Sequence, residues 1–143
     1  MKALLAAPVA ALLAWPSTAT GYADPSTASP PYIDHTVWAQ WHGLASLWVF
    51  PTPSGRTASR RAGTATAEAA QAPANEAWAE VLALSPDADT PGMRAQFICH
   101  WEFAEMAQPG KASWDLEPWR PVVDDTTMVA SRCNPGGPEE GSQ

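Results

Sequence analysis

The first 23 residues constrain this chain more than any later segment. They read as an export signal, which leaves about 120 residues to fold in an oxidising compartment. Lys2 supplies a positive start, Ala3 to Ala14 a short apolar core, and Ser17, Ala19 and Ala23 the small residues of a cleavage region. Cleavage is expected after Ala19 or after Ala23. The apolar stretch, interrupted by Pro8 and Pro16, is too short to span a bilayer, which takes about 20 apolar residues. The cysteine nearest the signal is Cys99, so no lipid anchor is expected. The chain therefore reads as secreted, with no membrane span.

Export gives the two cysteines a meaning. An even pair in an oxidising compartment reads first as a disulfide, and Cys99 with Cys133 allows one intramolecular pairing. Without CxxC spacing or a third cysteine, a metal-binding or reactive thiol pair has little support. Removal of Lys2 leaves seven basic residues against fifteen acidic ones, a net charge of −8. A small chain this acidic repels polyphosphate, so nucleic acid is not an expected partner. Seven tryptophans remain after the signal, enough aromatic area to stabilise a small core.

Residues 24–31 form a Pro-, Ser- and Thr-rich lead-in, expected to be disordered. Alternation of Ile33, Val37, Ala39 and Trp41 against Asp34, Thr36 and Gln40 suits a strand. A helix aligning Ile33, Val37 and Trp41 competes, but the His42-Gly43 turn and the compact run Leu44–Phe50 favour a hairpin ending at the Pro51–Gly55 breakers. Arg56–Ala74 has almost no large apolar group and reads as a flexible insertion. Asn75 then resembles an N-cap, with Trp78, Val81 and Leu82 on one helical stripe that Ser85-Pro86 terminates.

Met93–Phe103 reads as a strand, with Met93, Ala95, Phe97, Cys99, Trp101 and Phe103 on the core side and Arg94, Gln96, His100 and Glu102 on the other. Gln108–Lys111 is a turn, and Trp114–Pro121 is too Pro-bounded for a regular element. Val122–Cys133 is a last strand with a turn or bulge at Asp124-Asp125, and 136–143 is a disordered tail. The expected fold is α+β: a small antiparallel sheet of about four strands, one short helix and a Cys99–Cys133 staple. It forms a single compact domain over 32–135, interrupted at 56–74, and is expected to be monomeric.

Several of these blocks also carry a resemblance. The segments VWAQWHGLASLWVFPTPSGR, AWAEV, MRAQFICHWEFA, WDLEPWRP and CNP, in that order, resemble a family of bacterial secreted proteins known as a domain of unknown function, number 2599. The likeness covers about Tyr32 to Pro135, and its specific parts are Gln96–His100 and Trp114–Arg120. The insertion at 56–74 departs from it in length and low complexity. The resemblance implies secretion and one compact domain, and brings no activity with it.

Two chemistries compete for the function. On a strand, His100 and Glu102 would sit side by side, the arrangement that raises an imidazole pKa for general acid–base work. Glu117 and Arg120 would complete the constellation of a small exported hydrolase. Spacing alone shows no cleft, so a solvated sheet face carrying cross-strand ion pairs is the preferred reading of these residues. His35, His42 and His100 lack a shared metal-ligand spacing, the aspartates match no calcium loop, and no GxSxG turn is present. No metal or cofactor is expected. The other reading is a non-enzymatic binding domain. Trp38, Trp48, Trp101, Trp114 and Trp119 are many for one small core, and Trp114 and Trp119 flank Pro118 in a loop suited to hold an unidentified protein or glycan. That binding reading is the first choice.

Overall fold

The computed structural model describes residues 27–137. The signal, both cleavage positions, the start of the lead-in and tail residues 138–143 lie outside the described residues.

Two strands open the fold, β1 (Ile33–Trp41) and β2 (Leu44–Pro51). His42 and Gly43 join them with φ of 49° and 78°, the pair of positive values that a tight two-residue hairpin turn demands. The third strand, β3 (Trp114–Leu116), pairs antiparallel with β2, giving the order β1-β2-β3. The sheet thus has three strands rather than about four. The Trp114–Pro121 block, expected to be irregular, begins with the third.

Among the described residues four α-helices replace the expected one: α1 (Pro53–Ala62), α2 (Ala67–Leu84), α3 (Met93–Ala107) and α4 (Asp125–Ala130). The supposed insertion at 56–74 holds most of α1 and the start of α2. Its lack of large side chains permits close packing. A Cβ on Gly55 would lie 2.1 Å from the Tyr32 carbonyl oxygen, so α1 rests directly on the backbone entering β1. Ser59 is buried and donates to the Trp101 carbonyl at 2.6 Å. Arg56 and Arg60 reach the buried carboxylate of Glu105 on α3, at 2.5 and 3.0 Å. The Thr52 hydroxyl caps α1 by accepting from the Gly55 N–H, and Pro53 occupies the first turn, where no N–H is needed. Alanine is the best helix former, which explains why an apparently featureless stretch is ordered.

Thr66, rather than Asn75, caps α2, and Asn75 sits inside the helix accepting from Arg94. The stripe beyond it is as expected: Trp78 and Val81 are buried, Leu82 is partly so, and the helix ends at Ser85.

The largest correction concerns Met93–Phe103, which is helical. Its buried positions include Met93, Gln96, Phe97, His100 and Trp101, the i, i+3, i+4, i+7, i+8 series of a helix face. Apolar alternation concealed that series because two of its members, Gln96 and His100, are polar. Val122–Cys133 is likewise not a strand. Asp124 caps α4 by accepting from the Thr127 N–H at 2.7 Å, so the Asp-Asp pair marks a helix start and not a bulge.

The core lies between α3 and the sheet. Phe97 packs against Trp78, Trp101 and Trp114 with ring centroids 5.5, 6.1 and 6.2 Å away, and Trp101 meets Trp114 edge to face. A smaller cluster of Cys99, Met128 and Cys133 joins α4 to α3 through the Cys99–Cys133 disulfide.

The disulfide closes a sequence separation of 34 residues, for which loop-closure entropy contributes about 3–4 kcal/mol. Reduction is expected to lower the melting temperature by about 10 °C or more, with α4 amides losing exchange protection before those of the hairpin. An unchanged melting temperature contradicts this.

Candidate functional site

The two most specific sequence blocks meet at the end of β3. The Gln96 side chain on α3 faces the backbone of Glu117. Its Nε2 donates to the Glu117 carbonyl at 2.9 Å, and its Oε1 accepts from the Glu117 N–H at 2.9 Å. A side-chain amide thereby does for one residue what a neighbouring strand would do. The Glu117 carboxylate in turn accepts from Arg120 Nε at 2.6 Å and from the Ser46 hydroxyl at 3.3 Å. Arg120 Nη1 donates to the carbonyls of Pro135 and Gly137, and the guanidinium stacks 4.5 Å over the Trp119 ring. Glu117 and Arg120 are 2% and 4% exposed. The structure brings these two candidates together as a buried, hydrogen-bonded ion pair, closed to a substrate.

The other two candidate catalytic residues stand apart. Glu102 follows His100 by two positions, which on a helix separates them by about 200° around the axis. Its pKa is raised, first by burial and then by Asp125. His100 is 6% exposed, and its Nδ1 bonds the Gln96 carbonyl at 2.8 Å. A carbonyl only accepts, so Nδ1 carries the proton and Nε2 keeps its lone pair. Burial above all drives the His100 pKa down to about 4. Lys111 and Arg120 push the same way, against the Gln96 carbonyl and Asp115. The expected carboxylate-activated, raised imidazole is replaced by a neutral one. It lines a groove bounded by the disulfide, Phe103, Lys111 and Arg132. Among the described residues no three His, Cys, Asp or Glu side chains are grouped to hold a metal.

The tryptophans are redistributed as well. Trp114 is fully buried in the core, and Trp119 is half-buried beneath Arg120, so neither forms an open rim. The exposed indoles are on the hairpin. Pairing sets Val37 opposite Trp48 and Trp41 opposite Leu44, all four 39–53% exposed. Thr36, Trp38 and Gln40 pair with Val49, Leu47 and Ala45 on the opposite face, where Thr36 Oγ1 meets Ser85 Oγ at 2.8 Å and Trp38, beyond the core, is also exposed at 39%. The apolar row of β1 therefore faces outward from Val37 onward, opposite to the simple expectation. An irregularity between Ile33 and His35 inverts the alternation, leaving Ile33 buried and Val37 exposed. Alternation of Ile33, Val37, Ala39 and Trp41 in the sequence carries no sign of that irregularity.

Residues 33–136 match the family described as "Protein of unknown function (DUF2599)". Uncharacterized proteins of Mycobacterium tuberculosis and Mycobacterium bovis are each 56% identical, the match covering 98% of this chain and 99% of theirs. One of Mycobacterium leprae is 49% identical over 74% of this chain and 80% of its own. No solved structure matches.

His100 gives a signed pH dependence. Its folded pKa lies below the unfolded value of 6.5, so its contribution to stability is complete above pH 6.5 and is lost as pH falls toward 4. The loss is about 3 kcal/mol. Proton-detected titration should place its midpoint near 4, and His100→Gln should lose about 3 kcal/mol less over that interval. A midpoint at or above 6.5 contradicts the assignment.

Proposed function

Since this chain belongs to the DUF2599 family of proteins of unknown function, we propose from its surfaces that it is an exported, non-enzymatic, monomeric binding domain. The outer face of its hairpin is the docking surface. One observation carries the reading: Val37, Trp41, Leu44 and Trp48 lie on one face of the hairpin and are all substantially exposed. Core aromatics are abundant and buried, so exposure of these four is a property of the hairpin and not of a core too small to hold them.

The chemistry of the patch favours a protein over a glycan. Two of the four residues are aliphatic, which suits apolar side chains better than sugar hydroxyls. β1 is also an edge strand of nine residues, an edge along which an extended segment of a partner can pair. Residues Val37 and Trp41 alternate along that edge on the outward side, so an added strand would bring its own alternate side chains alongside them. Export is supported by the disulfide, and no described helix is long and apolar enough to cross a membrane. The hydrolase reading loses its basis, because Glu117 and Arg120 are locked to each other and Glu102 turns away from His100.

A photo-reactive residue at position 37 of the full chain should yield a discrete protein adduct in the secreted fraction of the producing cell. The same group at exposed Val122 should not. Trp41→Ser with Trp48→Ser should abolish the adduct while shifting stability by no more than about 1 kcal/mol. Equal labelling from both positions contradicts the proposal, and adducts that are sugar polymers replace the protein partner with a glycan.

A further inference from the structure

The groove beside His100 is separate from the hairpin face and makes a different demand on its occupant. It encloses about 420 Å3 between the second half of α3 and the segment following α4, within the size range of small-molecule sites. The Cys99–Cys133 disulfide, Phe103 and Val129 supply apolar wall, and Lys111 and Arg132 supply positive charge.

Three features make this more than a surface dent. First, the cations are unspent. Arg56 and Arg60 are committed to Glu105 and Arg120 to Glu117, whereas among the described residues neither Lys111 nor Arg132 is paired with a carboxylate. In a chain of net charge −7, two unpaired cations on one groove are an asymmetry that favours an anion. Second, His100 is more than nine-tenths buried yet lines the groove. With Nδ1 donating to Gln96, its remaining polar atom is an acceptor without a described partner. Third, Arg132 and its neighbour Cys133 have φ of 54° and 65°, a left-handed conformation that costs non-glycine residues free energy. The disulfide holds that backbone in place at the edge of the groove.

We propose that this groove binds a small hydroxy carboxylate with an apolar tail. The carboxylate is met by Lys111 and Arg132, the ligand hydroxyl donates to His100 Nε2, and the tail covers Phe103, Val129 and the disulfide. Each part of the ligand answers one part of the wall. Inorganic phosphate has no tail for the apolar wall. A simple alcohol leaves both cations unanswered.

The test is a nitrogen–proton correlation titration of the oxidised full chain at neutral pH with 3-hydroxyoctanoate. Octanoate and 1,3-octanediol serve as comparators. Shifts are expected to concentrate at Lys111, Val129, Arg132 and Asn134. Octanoate should bind about fivefold more weakly for want of one hydrogen bond. The diol should be weaker again, and Lys111→Gln with Arg132→Gln should weaken 3-hydroxyoctanoate about tenfold. The proposal is overturned if shifts fall on the hairpin or nowhere, if all three compounds bind equally, or if the double substitution changes nothing. The comparison among compounds uses the unaltered protein, so it stands even if the substituted chain folds poorly.

Discussion

One side-chain amide fixes where α3 meets the sheet, alongside the polar contacts that β1 makes with Glu80 of α2 and with Ser85. Gln96 exchanges two hydrogen bonds with the backbone of Glu117, at the point where β3 has run out of ladder partners. Fixing that peptide fixes the Glu117 carboxylate, which orients Arg120, which gathers the carbonyls of Pro135 and Gly137. Three parts of the chain distant in sequence are thereby tied through one buried chain of polar contacts. Such an arrangement is costly to leave incomplete. An orphaned buried peptide group costs about 1–3 kcal/mol, and removing one partner of a buried ion pair about 3–5 kcal/mol. Every member is satisfied here, so the network specifies the geometry instead of weakening it.

That clamp explains why the most distinctive sequence blocks are poor candidates for catalysis. Glutamate, arginine, glutamine and histidine are the vocabulary of hydrolases, and equally the vocabulary of a buried polar bolt. Spacing does not distinguish them; burial does. His100 shows the difference most sharply. The same helix that delivers Gln96 to the sheet holds His100 against the Gln96 carbonyl and away from any carboxylate partner, so the imidazole is neutral where acid–base work would want it raised.

Legibility in the sequence followed the kind of signal available. The hairpin was readable because His42-Gly43 requires a specific backbone conformation. The end of α2 was readable from Ser85-Pro86, and the disulfide from simple cysteine arithmetic. What failed was inference from polarity. Gln96 and His100 are polar and buried, so the α3 face looked like the wet side of a strand. Residues 56–74 are small and apolar-poor, and looked unable to pack. Yet Ala58 and Ser59 are buried there, Ser59 bonded to the Trp101 carbonyl, and Gly55 just before them lets α1 lie on the Tyr32 backbone. Tryptophan misled in the opposite direction: Trp114 is central to the core, whereas Trp41 and Trp48, on a hairpin whose alternation is inverted by a bulge, face outward.

The Gln96–Glu117 clamp belongs to the cooperative core. Native-state hydrogen exchange at the Glu117 amide reads this contact, because that N–H donates to the Gln96 side chain at 2.9 Å. This amide should open only with global unfolding, at a rate matching those of Phe97 and Trp101 in α3. Exchange as fast as the amides of the Gln108–Lys111 turn would contradict it, and would mean that α3 is held to β3 by apolar packing.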